Sequence, residues 1–117
     1  MINFLKYWLP VIIYAATIFI VSSVSEPLKG LELFPYSDKL LHIIEYAIFG
    51  FLMMRALSSL KSNKRVLFLR IAAVAIVVLY GFTDEIHQYF VPQRDMDIFD
   101  LFSDGLGAFI GQLFFRR

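Results

Sequence analysis

The apolar runs of this chain constrain its fold more than any other feature. A helix needs about 20 mostly apolar residues to cross a bilayer. Stretches that approach this length lie at residues 4–24, 38–60, 65–90 and 97–115. Hydrophobic residues make up 59% of the 117 residues, which is more apolar surface than a soluble domain of this size buries. The sequence therefore predicts an all-α bundle of four transmembrane helices, in a single domain over residues 1–117.

The basic residues in the short connections predict how the bundle is oriented. Cytoplasmic loops of membrane proteins carry an excess of Lys and Arg. The connection between the second and third stretches contains Lys61, Lys64 and Arg65, and the chain ends in two arginines. The other two connections mix their basic residues with acidic ones. We therefore expect both termini to be cytoplasmic. The net charge of +1 gives no reason to expect a nucleic-acid partner.

Polar residues collect where this topology brings three of the helices to the outer face. A charged group inside a span costs about 3 kcal/mol on insertion scales, so it needs partners or a purpose. Helical periodicity arranges the polar residues in stripes. The stripes comprise Asp38, His42, Glu45 and Tyr46; Asp84, Glu85, His87 and Gln88; and Asp97, Asp100 and Asp104. On the third helix Glu85 is expected to lie to one side of the others. We expect these stripes to face inward and enclose a polar pocket at the outer face.

Two of these groups can be interpreted as chemical or as structural features. Asp38 lies one turn before His42, so it could orient that imidazole for acid–base chemistry or simply cap the helix. Asp84 and Glu85 could bind a cation or share a proton. They could also be a solvated end of the span, although two negative charges near a helix C-terminus oppose the helix dipole.

The third group follows a proline in the last connection. Arg94 could pair with neighbouring carboxylates or grip an anionic ligand. Asp97 and Asp100 also suit a helix N-terminus, whereas Asp104 lies about a turn deeper and has no capping role. Gly107 and Gly111 allow a close approach by another helix, either within the chain or in a homo-oligomer.

Neither a cofactor nor a defined set of metal ligands follows from the sequence. The surplus of acids at the outer end leaves room for a divalent cation. Carboxylates with Gln88 would suit calcium or magnesium, and His42 with His87 would suit zinc. None of the spacings is a specific metal signature. The chain contains no cysteine, so thiol-based sites are excluded.

Three ordered motifs resemble those of the VanZ-like family of small bacterial membrane proteins. The motifs are Asp38-Lys39-x-x-His42-x-x-x-Tyr46, Asp84-Glu85-x-x-Gln88-x-Phe90-Val91-Pro92-x-Arg94 and Asp97-x-x-Asp100-x-x-x-Asp104-x-x-Gly107-x-x-x-Gly111. The family's polar positions fall on Asp38, His42, Tyr46, Glu85, Gln88, Arg94, Asp100 and position 104. The chain departs from the family pattern at Asp104, where Asn is usual, and at Gln93, where Gly is common.

The resemblance implies a multi-pass protein of the bacterial cytoplasmic membrane, with a role in the cell envelope. The family's namesake is associated with low-level resistance to the glycopeptide teicoplanin. The expected partners are the lipid bilayer and a lipid-linked envelope precursor or a glycopeptide. As a binding module, the protein would hold a headgroup through Asp38, Tyr46, Asp84, Gln88, Arg94, Asp97 and Asp104.

Two other functions compete with binding. As a hydrolase or transferase, metal-assisted or not, the protein would use His42, Glu85 and Asp100 as catalytic groups. An ion or proton conductor is the third hypothesis. It is disfavoured because the inner halves of the helices contain almost no polar groups.

Overall fold

The computed structural model describes residues 2–22, 37–60, 65–90 and 98–115, with only the backbone described for residues 37–39. Most of these residues are helical, with no strand among them. In chain order the helices are α1 (Ile2–Tyr7), α2 (Leu9–Ser22), α3 (Ser37–Ser58), α4 (Val66–Tyr89) and α5 (Ile98–Leu113). The all-α prediction is confirmed for this part of the chain.

Three helical segments of the described chain are long and apolar enough to cross a membrane: Ile2–Ser22, Leu40–Ser58 and Val66–Tyr89. The fourth predicted span corresponds to α5, which has 16 residues. At 1.5 Å per residue, α5 is about 24 Å long, less than the roughly 30 Å hydrocarbon core of a bilayer. Its acidic first turn, with Asp100, also lowers its hydropathy. Length and composition thus support three spans directly.

The first apolar segment contains a local break at Trp8, because Pro10 has no backbone N–H to donate. Backbone hydrogen bonds continue through the break, from Trp8 N to Phe4 O at 2.8 Å and from Ile12 N to Trp8 O at 3.0 Å. The carbonyl of Lys6, which would normally accept from residue 10, accepts instead from Arg55 Nη1 at 3.0 Å. This bond ties the start of the chain to the last turn of α3.

Contacts between named residues fix the directions of the helices. Phe51 and Phe115 stack edge to face near the ends of α3 and α5, while His42 and Asp104 meet near their starts. These two helices therefore run parallel, and they share the most extensive contact in the described structure. Helix α4 runs antiparallel to both, since Arg70 near its start reaches the end of α5.

Helix α2 completes the bundle by packing on α3 and α4. The Tyr14 hydroxyl donates to the Glu45 carbonyl at 2.6 Å, and the Tyr80 hydroxyl donates to the Ala15 carbonyl. As a result, the ends of α2 and α4 and the starts of α3 and α5 lie at one end of the bundle. We call this end the acidic end. The opposite end carries Arg55, Arg65 and Arg70 and is called the basic end.

Glycines allow α3 and α5 to approach so closely. A Cβ added to Gly107 would lie 3.0 Å from the Ile43 Cα, and one added to Gly111 would lie 2.6 Å from the Ala47 Cα. On α3, a Cβ at Gly50 would lie 2.8 Å from the Ala108 Cα. The Gly107–Gly111 face is therefore used for packing within the chain.

The burial pattern differs from that of a soluble protein. Large apolar side chains such as Ile13, Leu79 and Phe102 are exposed, whereas Glu85 and Asp104 are 1% and 0% exposed. Exposed apolar surface and buried polar groups suit a helix bundle surrounded by lipid.

Candidate functional site at the acidic end

A histidine–carboxylate pair lies at the centre of the acidic end. His42 Nδ1 lies 2.7 Å from Asp104 Oδ1, which is hydrogen-bond distance. The second ring nitrogen, Nε2, lies 3.9 Å from Asp100 Oδ2. His42 comes from α3, whereas both carboxylates come from the first two turns of α5. One imidazole is therefore held between two acids spaced one helical turn apart.

Helix α4 adds its own carboxylates to this pair. Ligand atoms of His42, Glu85 and Asp104 lie within 4.8 Å of one another, so three helices each contribute one group. Asp84 is also buried and is close enough to interact electrostatically with Asp104. Gln88, one turn further along α4, is buried as well.

Tyr46 closes the inner side of this cluster. Its side chain is 1% exposed and packs edge to face against Phe49. Among the described residues, its hydroxyl has no hydrogen-bond partner, and the same holds for Asp104 Oδ2. Two buried polar atoms thus lie beside the His42–Asp104 pair without a partner in this part of the chain.

Gly81 makes room for both of these groups, and it is not among the residues that the sequence motifs predict for the site. A Cβ at position 81 would lie 3.0 Å from Asp104 Oδ2 and 3.0 Å from Tyr46 Cε2. The signal was present in the sequence, since Gly81 precedes Glu85 by four residues and therefore lies one turn away on the same helical face.

The predicted face of α4 needs one correction. Asp84, Glu85 and Gln88 are buried together, whereas His87 is only partly buried. The His87 ring stacks on Phe19 of α2, with centroids 4.4 Å apart. Glu85 rather than His87 therefore belongs to the three-residue group with His42 and Asp104, and this arrangement gives no support to pairing the two histidines as zinc ligands.

Other predicted site residues lie outside the described part of the chain. These are Arg94 and Asp97, together with the side chain of Asp38. The predicted residues that the structure does describe at the acidic end are His42, Tyr46, Asp84, Glu85, Gln88, Asp100 and Asp104.

An apolar groove of about 480 Å³ lies between α4 and α5, away from this cluster. Its walls include Ile71, Val74, Phe109 and Leu113. Arg70 borders the groove, and its guanidinium donates to the Gln112 carbonyl at 2.6 Å and to the Phe115 carbonyl at 2.9 Å. The groove therefore offers an apolar surface rather than a reactive site.

Comparison with protein families gives one match, to VanZ/LLP1, over residues 3–117. The chain belongs to the VanZ/LLP1 family. The match also includes α1 and α2, which contain none of the motif residues behind the resemblance. The matched region thus extends over all five helices, including α2, which contacts His87 through Phe19. No curated protein matches the chain. No solved structure matches it either.

Proposed function

We propose that this VanZ/LLP1 protein is a four-span protein of the bacterial cytoplasmic membrane, with both termini in the cytoplasm. The separation of charge along the bundle supports this topology. Arg55, Arg65 and Arg70 lie at the basic end, and positive residues favour the cytoplasmic side. The acidic end then opens outward. In this arrangement α5 is a short fourth span whose neighbours shield its acidic first turns.

The proposed function is recognition of an envelope amphiphile at the outer leaflet. The observation that carries it is the pair formed by half-buried His42 and buried Asp104, with buried Glu85 beside it, at one end of a bundle with an apolar exterior. Buried ionisable groups in membrane proteins are costly and mark functional sites. A headgroup with hydroxyl, amide or amine groups can donate hydrogen bonds to this cluster, while its hydrocarbon chain stays among the lipids. A lipid-linked envelope precursor and an acylated glycopeptide both meet this description.

One specific observation favours a second candidate, a membrane-embedded hydrolase or transferase. His42 has a carboxylate near each ring nitrogen, at 2.7 Å and 3.9 Å. A carboxylate on one nitrogen orients the ring, and the other nitrogen can then exchange a proton with a substrate. In this hypothesis Glu85 and Asp100 act with His42 as catalytic groups.

The substitution Glu85→Gln separates binding from catalysis, because it keeps the shape of the side chain and removes its charge. The Glu85→Gln variant is compared with the unaltered chain in two measurements. Native mass spectrometry of the purified full chains identifies the lipids that they retain. The teicoplanin susceptibility of cells that produce them gives the cellular effect. A binding module should lose both lipid retention and the cellular effect. An enzyme should retain its lipids and lose only the cellular effect.

Glu45→Gln is the matched control, since it removes the same charge at the acidic end, from α3 instead of α4. Glu45 is only partly buried and is not a member of the His42–Glu85–Asp104 group. If Glu85→Gln changes neither lipid retention nor susceptibility, the headgroup site is disproved. If Glu45→Gln causes the same loss of lipid retention and cellular effect, the loss is caused by the change in net charge at the acidic end.

A further inference from the structure

Three side chains of metal-binding chemistry converge at the acidic end from three separate helices. They are His42 of α3, Glu85 of α4 and Asp104 of α5, with ligand atoms within 4.8 Å of one another. Glu85 and Asp104 are almost completely buried. Ligands around a tetrahedral zinc ion are about 3.3 Å apart, given bonds of about 2.0 Å. The three groups can therefore reach one ion after small side-chain movements.

A second observation points to a ligand at the same place. The Tyr46 hydroxyl and Asp104 Oδ2 are buried, with no hydrogen-bond partner among the residues that the structure describes. Asp104 Oδ2 and the ring edge of Tyr46 both lie 3.0 Å from the point where a Cβ of Gly81 would stand. Burying polar atoms without partners is unfavourable. A bound cation would give the carboxylate oxygen a partner, and its bound water could hydrogen-bond to the hydroxyl.

We propose that His42, Glu85 and Asp104 bind one divalent transition-metal ion, with zinc as the expected species. One imidazole and two carboxylates form a mixed nitrogen and oxygen ligand set that suits zinc, whereas calcium and magnesium prefer oxygen ligands alone. Three protein ligands leave a fourth position open for water or for a ligand atom. This inference goes beyond headgroup recognition, because an ion can be bound with no lipid present.

The surroundings of His42 match those of a metal-bound histidine. Nδ1 must be free of hydrogen to bind the ion, so the form that binds is the neutral imidazole with its one hydrogen on Nε2. The other nitrogen, Nε2, then carries its hydrogen toward Asp100, whose Oδ2 lies 3.9 Å away. A carboxylate in this position fixes the orientation of a ligating imidazole. Asp100 is thus a positioning residue for the metal site.

The test is metal binding by the purified full chain in mild detergent. The protein is first treated with a chelator and then dialysed against Zn²⁺, and in a parallel sample against Co²⁺. Elemental analysis should find about one ion per chain, and Co²⁺ should give the intense visible absorbance of a low-coordinate site. His42→Gln and Glu85→Gln should abolish binding. Asp100→Asn should weaken binding by about 10-fold, as loss of an orienting partner does.

His87→Gln is the matched control, because His87 is the other of the two histidines and stacks on Phe19 at the same end of the bundle. This variant should bind Zn²⁺ like the unaltered chain. Absence of stoichiometric metal from the unaltered chain, or equal binding by His42→Gln, overturns the proposal.

A measurement on the unaltered chain covers the case in which variants fail to fold. Histidine modification by diethyl pyrocarbonate, read by mass spectrometry, should be suppressed by Zn²⁺ at His42 and unchanged at His87. Equal modification of His42 with and without Zn²⁺ contradicts the site. Lipid retention is measured separately, on chelator-treated and Zn²⁺-loaded protein, so failure of the metal site and failure of headgroup recognition are told apart.

Discussion

The hydroxyls of three tyrosines in the bundle core differ in how they are paired. Tyr14 donates to the Glu45 carbonyl and Tyr80 to the Ala15 carbonyl. The hydroxyl of Tyr46 has no partner in the described part of the chain, although its side chain is the most deeply buried of the three. A buried hydroxyl without a partner adds no hydrogen-bond stabilisation to the fold, and we propose that this one serves binding.

Tyr46→Phe should leave the free energy of unfolding unchanged or slightly higher, because it removes a buried hydroxyl that makes no bond in the described structure. Tyr14→Phe should lower the free energy of unfolding by about 1 kcal/mol, since it removes a formed hydrogen bond. Thermal unfolding followed by circular dichroism in detergent gives both values. Lipid retention should fall for Tyr46→Phe alone. A stability loss for Tyr46→Phe equal to that of Tyr14→Phe would mean that its hydroxyl is satisfied in the folded protein.

The residue types of the site could be predicted from the sequence, but their pairing could not. Periodicity places His42 on one stripe and Asp104 on another. The spacing of one turn allows Asp38 to be the partner of His42. In the structure His42 contacts Asp104 of a different helix. The rotation of one helix against another depends on packing, here on the glycines of α5, and no single-helix pattern contains that information. Arg94 and Asp97 stay predictions, since they lie outside the described residues.

At the scale of the helices, the position of α5 depends on two glycines, whose lack of a side chain lets the backbone approach α3 closely. Gly107 and Gly111 bring its backbone against Ile43 and Ala47 of α3. This close approach sets the height at which Asp104 meets His42. The sequence predicted a close helix contact at these glycines, and the structure shows that α3 occupies the face. Self-association into a homo-oligomer through this face is therefore not expected.

Gly111→Ala should destabilise the bundle by about 1–3 kcal/mol, the usual cost of overpacking. The added Cβ would lie 2.6 Å from the Ala47 Cα, and backbone atoms cannot move aside cheaply. Gly105→Ala is the matched control on the same helix, because its Cβ would lie 3.5 Å from a Val78 methyl, an ordinary contact. It should be neutral or stabilising by up to about 1 kcal/mol through helix propensity. Circular dichroism melts of both variants measure the difference, and equal melting temperatures would contradict the packing described for α3 and α5.

At the scale of the whole molecule, the two ends of the bundle differ in charge. The bounds of α4 were predictable to within one residue at each end, since residues 65–90 were expected and Val66–Tyr89 is found. The short α5 was harder to classify, because its apolar length is marginal and its first turns are acidic. Its status as a span depends on its neighbours, and composition alone does not determine it.

Cysteine labelling measures the orientation of the bundle directly, since the chain contains no cysteine of its own. We expect a cysteine at Ser62 to be protected from an impermeant maleimide in intact cells, because the adjacent basic residues hold that connection in the cytoplasm. A cysteine at Gly30 should react. Both should react after the membrane is permeabilised, which controls for local accessibility. The reverse pattern would place the acidic end in the cytoplasm and exclude recognition at the outer leaflet.

The close fit of α5 against α3 also bears on how the protein is made. A helix of 16 residues that contains two buried carboxylates has little tendency to leave the insertion machinery for lipid by itself. The segments Ile2–Ser22 and Val66–Tyr89 are long and apolar enough to do so by themselves. Entry of α5 into the bilayer is therefore expected to await α3 and α4, which supply both a backbone surface for its glycines and partners for its acids. The polar cluster would then be assembled in the final step of biogenesis, and no intermediate with fewer helices would expose a complete site.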